Sequence, residues 1–252
     1  MYTQKEMLEI ALQQSAVDLS CKAEDLTGSK NAVFLSVPDP RARKYLTLPH
    51  ICSIVSYGQN AVASVREESM IAPVREYLDT HKTGYLFSTP DIYDLNRILS
   101  DGNARVRFTA EYFLSRGPVS EPASAYAMKW FYPADFASLY LPEWGNALCE
   151  SRKELDVLGI GAFDGEKLIA FAACSADADI MRQIGVDVLP DYRGRGLSKA
   201  LTARLSNRIL EEGTVPFYCA EWSNLRSVKN ALACGYYPAW AQMDAGSCEN
   251  SM

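Results

Sequence analysis

The sequence has few of the side chains that most often build metal sites. It contains only two histidines, His50 and His81, and its seven cysteines never form a CxxC pair. Structural zinc sites need clustered cysteine and histidine, so no metal is expected. The odd number of cysteines, their wide spacing and the apolar runs around Cys52 and Cys174 predict small buried hydrophobic residues in a reducing compartment.

Long apolar runs and an excess of basic charge are also missing. No stretch approaches 18 apolar residues, so no segment is predicted to span a membrane. The polar, amphipathic start of the chain does not have the pattern of a signal peptide. The net charge of −6 argues against nucleic-acid and membrane-surface partners, because both need a basic face. We expect a cytoplasmic protein, and no oligomeric state follows from these features.

A linker is predicted near the middle of the chain. Residues 115–125 contain two prolines, one glycine and three serines, a composition typical of a connection between domains. At 252 residues the chain is long enough for two compact domains of about 100–150 residues each. We therefore expect an amino-terminal α/β domain over 1–120, a second domain over 121–243 and a disordered tail over 244–252.

The amino-terminal half shows ordinary secondary-structure signals and no recognisable chemistry. Apolar periodicity predicts helices over 3–19, 69–80 and 90–100. Two apolar strands that flank Gly58-Gln59-Asn60 predict a hairpin, and alternation over 106–114 predicts a further strand. His50 and His81 are expected to be a satisfied loop residue and a helix-end residue rather than bases.

The carboxy-terminal half has a clearer pattern, which reads as β, α(α), β, β, β, α, β, α, β. Asp164-Gly165 joins two strands by a tight hairpin. A helix follows, with leucine or isoleucine at 197, 201, 205 and 209 on one stripe, and a second helix is capped by Asn224 and ends at Gly235. The fold class predicted is mixed α/β (α+β).

One segment of this half indicates chemistry. DYRGRGLSKAL places Arg193, Gly194, Arg195, Gly196 and Lys199 between the end of a strand and the start of a helix. Free N–H groups and the dipole at a helix start favour an anion, and glycine lets a phosphate approach the backbone. One alternative is a basic loop that only caps the helix. Another is a dinucleotide fingerprint, which fails because its third glycine would fall at position 199.

A third interpretation is a family resemblance. The segment from Arg193 to Ser198 resembles the coenzyme A pyrophosphate loop of the GNAT (GCN5-related N-acetyltransferase) superfamily, [QR]-x-x-G-x-[GA], with serine in the last place. Downstream, Asn224, Ser227 and Gly235 match the family pattern N-x-x-[AS]-x-x-x-Y-x-x-x-G-F, with Tyr236 in place of phenylalanine. Together the matches span about residues 124–243.

The resemblance implies a fold and a cofactor. It predicts a mixed central sheet in which two parallel strands splay apart to receive the pantetheine arm of acetyl-CoA. It also implies that the amino-terminal half is either a diverged second acyltransferase-like half or an unrelated cap that shapes an acceptor site. The residues that it places at the cofactor are Val186, Asp187, Val188, Arg193, Gly194, Arg195, Gly196, Leu197, Ser198, Lys199 and Asn224.

The positions that handle protons in the family carry unexpected residues here. The tyrosine that often protonates the leaving thiolate falls at Ala231, and two glutamates used as bases fall near Arg182 and at Cys219. Glu221 lies two residues past Cys219 on the same strand face, and partial burial beside Trp222 would raise the pKa of its carboxyl. We therefore predict Glu221 as the base. Three tyrosines are other candidates for proton transfer: Tyr218, Tyr236 and Tyr237.

Two functions of different classes follow. The first is an N-acetyltransferase that moves an acetyl group from acetyl-CoA to a primary amine of a small molecule by direct attack. The second is an acyl-CoA-binding regulatory module without turnover, which the missing tyrosine at Ala231 favours. Turnover with a panel of amines separates the two.

Overall fold

The computed structural model describes residues 2–248, which divide into two compact units. Within these residues one unit, here the amino-terminal unit, consists of Glu9–Tyr112 with the segment from Pro238 onwards, and the other, the carboxy-terminal unit, of the segment up to Leu8 with Phe113–Tyr237. The predicted boundary at 120 is therefore displaced, and the last segment of the chain belongs with the amino-terminal unit. The boundary was predicted from the composition of residues 115–125. Composition does not show that the last strand of the chain pairs with a strand of the amino-terminal unit.

Helices and strands of the amino-terminal unit follow the predicted positions closely. In chain order they are α1 (Gln4–Leu19), β1 (Ala32–Leu35), β2 (Cys52–Ser56), β3 (Val62–Val65), α2 (Ile71–Thr80), α3 (Thr89–Ser100) and β4 (Ala104–Ser115). The hairpin predicted around Gly58 is confirmed: β2 pairs antiparallel with β3, Cys52 opposite Val65. Gly58 has a φ of 101°, which glycine adopts at little cost.

The last strand corrects the prediction of a disordered tail from residue 244. β10 (Tyr236–Ser247) pairs antiparallel with β2, and its register continues through Asp244 opposite Ser53 and Ala245 opposite Cys52. The Ser53 hydroxyl also donates to Asp244 Oδ1 at 2.6 Å. These bonds order residues that look like a polar tail in the sequence. The rest of the predicted tail, 249–252, lies outside the described residues.

Strands of the carboxy-terminal unit form an antiparallel meander that ends in a parallel pair. Its further elements are β5 (Ala127–Phe131), β6 (Asp156–Asp164), β7 (Lys167–Ser175), β8 (Met181–Val188), α4 (Leu197–Glu211), β9 (Val215–Ala220) and α5 (Leu225–Ala233). The strand order is β9-β8-β7-β6-β5, with β8 and β9 parallel. Asp164 pairs with Lys167 at the predicted hairpin. The mixed sheet with helices confirms the predicted α+β fold class.

Each face of this sheet carries its own apolar cluster. On one face, Leu197, Leu201, Leu205 and Ile209 of α4 are buried in a cluster with the inward residues of β6–β8, which confirms the predicted stripe. On the other face, Phe171 of β7 packs with aromatic residues of the segment before β6. That segment forms 3-10 turns, including Pro133–Ser138 and Pro142–Trp144, because prolines repeatedly interrupt a regular helix.

Among residues 2–248, no helix combines the length and the hydropathy needed to cross a bilayer.

Candidate active site

The turn between β8 and α4 has a backbone that requires glycine. Gly194 and Gly196 have φ values of 77° and 76°, and Gly196 is the residue before the first helical residue, Leu197. A Cβ at either position would meet no atom within 4 Å. The space above this backbone is therefore open, and the glycines are needed for conformation rather than for packing.

No side chain caps the start of α4. The first N–H groups of a helix have no partner within the helix, and the positive end of the helix dipole lies at the same place. With the glycine turn exposed and Lys199 in the first turn, this is an anion-binding geometry. The pyrophosphate site at Arg193–Ser198 falls at this turn and stays a prediction.

The two arginines of the turn have different environments. Arg193 Nε donates to the carbonyl oxygen of Val188 at 3.1 Å, and Arg193 lines a cavity beside β8. Arg195 instead donates to Tyr126 Oη and to the carbonyl oxygen of Asp191, and its guanidinium lies 4.9 Å from the centre of the Tyr192 ring. Arg195 does not line the cavity. Its predicted cofactor contact therefore has no support from this geometry.

The parallel strands β8 and β9 separate after a short paired stretch. They pair from Met181–Val215 to Gln183–Phe217, whereas β8 continues to Val188 and β9 to Ala220. This is the splay that the resemblance predicts. Main-chain groups of β8 beyond Gln183 therefore face a gap instead of a neighbouring strand, and an extended ligand can pair with them.

The direction of the backbone N–H and C=O groups shows which residues of β8 face the gap. Leu189 N donates to Ile169 O of the β7 side, and the register between β7 and β8 has no bulge. In an antiparallel pair, alternate residues direct their N–H and C=O groups to the same neighbour. Val186 and Val188 therefore direct theirs to the splay, as the Arg193–Val188 bond also indicates. Asp187 directs its main chain to β7, although it is among the residues that line the cavity, and its predicted place at the cofactor stays a prediction.

The Asp187 carboxylate binds the segment before β6 instead. It accepts hydrogen bonds from Asn146 N at 2.9 Å, Ala147 N at 3.0 Å and Asn146 Nδ2 at 2.6 Å. These three donors hold residues 146–147 against β8 on the face opposite α4. At Gly185 the approach is so close that a Cβ would overlap the carbonyl oxygen of Asn146. Asp187 and Gly185 together position this wall of the cavity.

Replacing Gly185 by alanine should destabilise the carboxy-terminal unit. The new methyl group must displace the Asn146 backbone that Asp187 holds, and overpacking of this kind costs about 1–3 kcal/mol. The measurement is the free energy of unfolding from urea denaturation. Gly84→Ala is the matched control, because a Cβ there meets nothing within 4 Å. Equal stability of the two variants would contradict the close contact at Gly185.

A cavity of about 830 Å³ joins the glycine turn to the splay. Of the predicted cofactor residues, all but Arg195 line it. It is also lined by residues that the sequence did not single out for the cofactor. These are Asn146, Gln183, Ile184, Gly185, Tyr192, Tyr218, Cys219, Arg226, Ser227, Lys229, Asn230 and Ala233. One signal was available in advance: Arg226 and Lys229 lie three residues apart, a spacing that puts two side chains on one side of a helix.

Polar side chains of β9 and α5 form one wall of the cavity. Asn224 caps α5 by accepting from Ser227 N at 3.3 Å, as predicted. Tyr218 of β9 is 4% exposed and has Ser227 and Asn230 beside its hydroxyl, and burial raises the pKa of its phenol. Asn230 Nδ2 in turn donates to Thr202 Oγ1 at 3.0 Å. Tyr218 is among the residues that line the cavity, and its phenol is protonated at neutral pH.

Glu221 is placed differently from what the sequence suggested. It follows the last residue of β9, Ala220, and is exposed, and the neighbouring Trp222 is 62% exposed. The partial burial expected for this carboxylate is therefore wrong. Glu221 is not one of the residues that line the cavity. Its role as a base stays a prediction.

Neither histidine lies at the cavity. His50 is buried with Nε2 at 3.1 Å from the carbonyl oxygen of Asp18, and burial lowers the pKa of its imidazole. His81 Nδ1 lies 2.8 Å from the carbonyl oxygen of Tyr77 at the end of α2. Within the described residues, no three or more histidine, cysteine, aspartate or glutamate side chains come together as a metal site.

A comparison with protein families matches the segment that carries this geometry. Residues 146–240 match the family model described as GNAT acetyltransferase. Because of this similarity, residues 146–240 are called the GNAT domain below. The matched residues include the glycine turn, both splayed strands and α5. All residues that line the cavity, from Asn146 to Ala233, therefore lie within the match. No curated protein matches the chain in sequence.

Three solved structures are similar to a larger part of the chain than residues 146–240. The GCN5-related N-acetyltransferase from Kribbella flavida has a TM-score of 0.51 at 13% identity, over 83% of this chain and 91% of that one. A GCN5-related N-acetyltransferase-like protein from Streptococcus suis 89/1591 has a TM-score of 0.49 at 18% identity, over 95% and 99%. A putative GNAT acetyltransferase from Novosphingobium aromaticivorans has 0.47 at 17% identity, over 57% of this chain and 66% of its own length.

Proposed function

We propose that the GNAT domain transfers an acetyl group from acetyl-CoA to a primary amine of a small molecule. The observation that carries this proposal is the continuity of the glycine turn and the strand splay in one cavity of about 830 Å³. The glycine turn can bind an anion, and the gap between β8 and β9 can bind an extended chain beside it. Coenzyme A has both parts in this order, a pyrophosphate followed by pantetheine.

The chain's own residues would place the thioester within the splay. The N–H and C=O groups of Val186 and Val188 face the gap and can pair with the amides of the arm. An N–H there can also stabilise the negative charge that develops on the thioester oxygen when the amine attacks. Asn146, held by Asp187, closes the cavity from the other sheet face and excludes water.

Tyr218 would donate the proton to the departing thiolate. The residue that aligns with the family's tyrosine is Ala231, which is fully buried in the same cluster as Tyr218. The phenol reaches the cavity from β9 instead of from α5. Burial keeps it protonated, as an acid requires. As the new C–N bond forms and the C–S bond breaks, the phenol proton passes to sulfur, and water later restores it.

Glu221 would take the proton from the amine, directly or through water. Glu221→Gln keeps the shape of the side chain and removes the base, so turnover should fall by about 10²-fold with little change in acetyl-CoA affinity. The measurement is the pH profile of kcat. Glu211→Gln, an exposed glutamate at the end of α4, is the control. Unchanged turnover and pH profile in Glu221→Gln would remove Glu221 from the mechanism.

The alternative is a GNAT domain that binds acyl-CoA without turnover. Ala231 and Cys219, in place of the proton-handling residues of the family, favour it. The deciding experiment incubates the protein with acetyl-CoA and a panel of primary amines and detects acetylated amine by mass spectrometry. Thiol dyes are unsuitable because the chain has seven cysteines of its own. Binding of acetyl-CoA without any acetylated product would favour the alternative.

A further inference from the structure

Asn146 lies against β8 with its hydrogen-bond donors already in use. Its main-chain N–H donates to Asp187 Oδ2 at 2.9 Å, and its side-chain Nδ2 donates to Asp187 Oδ1 at 2.6 Å. A carboxylate only accepts hydrogen bonds, so the amide must turn its NH2 group to Asp187. The remaining polar atom of the side chain is Oδ1, which accepts no hydrogen bond from residues 2–248. A fixed acceptor is therefore left on a residue that lines the cavity.

The segment that carries Asn146 is held firmly on the sheet. Trp144 is 4% exposed and meets Phe171 of β7 edge to face, with ring centres 6.2 Å apart, and Ala147 is buried in the same cluster. Ala147 N adds a third hydrogen bond to Asp187 at 3.0 Å. An exposed side chain usually loses rotamer freedom when it binds a ligand, whereas the Asn146 amide is already oriented. Such preorganisation favours a group that orients a substrate.

The position of Asn146 along β8 matches the place where the thioester would lie. β8 and β9 meet at the Gln183–Phe217 pair, which closes the gap between them. An arm that enters at the glycine turn and pairs with Val186 therefore ends between Val186 and Gln183. Gly185 lies in this interval, and its missing Cβ lets the carbonyl group of Asn146 approach. Asn146 thus borders the reacting end of the arm, on the sheet face opposite α4.

We propose that Asn146 Oδ1 accepts a hydrogen bond from the attacking amine and that Asp187 positions the amide, an inference that rests on the proposed acetyl transfer. The lone pair of a neutral amine forms the C–N bond, the C–S bond breaks, and the nitrogen loses one proton to the base. A primary amine has two N–H groups, so it can give one proton to the base and donate the other N–H to Asn146. No proton moves to Asn146 itself.

This contact selects primary amines over secondary amines. A secondary amine has a single N–H, which it must give to the base, so it cannot bond to Asn146 in the transition state. The nitrogen becomes positively charged as the C–N bond forms, and hydrogen bonds from charged donors are stronger than those from neutral donors. The contact is therefore stronger in the transition state than in the ground state, and it accelerates the reaction of primary amines.

The test compares primary amines with their N-methyl derivatives on the full chain, by mass spectrometry of the acetylated product. The probes are benzylamine, tyramine and putrescine, each beside its mono-N-methyl derivative. In Asn146→Ala, kcat/KM for the primary amine should fall by about 10-fold or more, as expected for a lost hydrogen bond to a charged group, and that for the N-methyl derivative much less. Gln13→Ala removes an exposed amide of α1 and should change neither value.

Asp187→Ala tests whether the carboxylate acts through Asn146. This variant should also lower the ratio of the two kcat/KM values, because the amide loses its orientation. Adding Asn146→Ala to it should lower the ratio no further, since the two residues form one unit. Additive effects of the two substitutions on the ratio would show that Asp187 does not position the amide.

The outcomes separate the Asn146 contact from the proposed transfer. If Asn146→Ala lowers kcat/KM equally for both members of a pair, or changes neither, the contact is wrong and acetyl transfer stands. If the wild type binds acetyl-CoA but acetylates none of the amines, the transfer is wrong, and the contact with it. In Asn146→Ala the two main-chain hydrogen bonds to Asp187 remain, so its thermal unfolding and its acetyl-CoA affinity should match the wild type.

Discussion

Acetyl-CoA should bind the Gly196→Asp variant at least about 10-fold more weakly than the wild-type protein. The substitution places a carboxylate at the start of α4, where the proposed pyrophosphate would accept hydrogen bonds from N–H groups. Its φ of 76° also disfavours any residue with a Cβ. A repulsion of over about 1.4 kcal/mol is enough for a tenfold loss of affinity. Isothermal calorimetry measures the affinity, and stabilisation by ligand in thermal unfolding is an independent readout.

Gly213→Asp is the matched control for this prediction. Gly213 follows the end of α4, has a φ of 74°, and a Cβ there meets no atom within 4 Å. The control therefore adds the same charge and comparable backbone strain outside the cavity lining. It should bind acetyl-CoA as the wild type does. Equal affinities in all three proteins would rule out a pyrophosphate site at the glycine turn.

Tyr218→Phe should lower kcat by about 10²-fold, the size typical of a lost general acid. Only the hydroxyl group is removed, so acetyl-CoA affinity should change little. Raising the pH should slow the wild-type enzyme as the phenol ionises, and this alkaline decline should disappear in the variant. The experiment is a pH profile of kcat, combined with calorimetry.

Tyr236→Phe separates a role in proton transfer from a role in packing. Tyr236 is fully buried, its hydroxyl lies 2.6 Å from Ser206 Oγ, and it contacts the Tyr218 ring edge to face. It does not line the cavity. We expect this control to lose stability without losing the alkaline limb of the profile. A Tyr218→Phe variant with wild-type turnover would show that the thiolate leaves without this proton.

Local patterns predicted the elements that position the site. The stripe from Leu197 to Ile209 is a direct consequence of helical periodicity on an apolar face. The glycines at 194 and 196 mark a turn that few other residues can adopt. The hairpins at Gly58 and at Asp164-Gly165 follow from turn chemistry. Each of these features depends on residues close together in the sequence, which is why the pattern was sufficient.

Features that depend on distant residues were not predictable in the same way. Asp187 was placed at the cofactor by its position in the strand, and nothing local marks the hydrogen bonds of its carboxylate with Asn146 and Ala147, about 40 residues earlier. Arg195 was assigned to the phosphate because nothing marks Tyr126 as its acceptor. Glu221 was expected to be partly buried because a strand end does not show whether anything covers it. In all three cases the outcome depends on how segments distant in the sequence pack together, and patterns of neighbouring residues do not predict that packing.

The pairing of β2 with β10 also bears on how the chain is made. Ser53 and Asp244, which share a hydrogen bond, are separated by 191 residues. A ribosome releases β2 long before it releases β10, so during synthesis this edge of the hairpin has no partner. Exposed strand edges are sites of mispairing between nascent chains. The amino-terminal unit is therefore completed only after β10 has been synthesised, and a chain that lacked Tyr236–Ser247 would leave this edge of β2 open to aggregation.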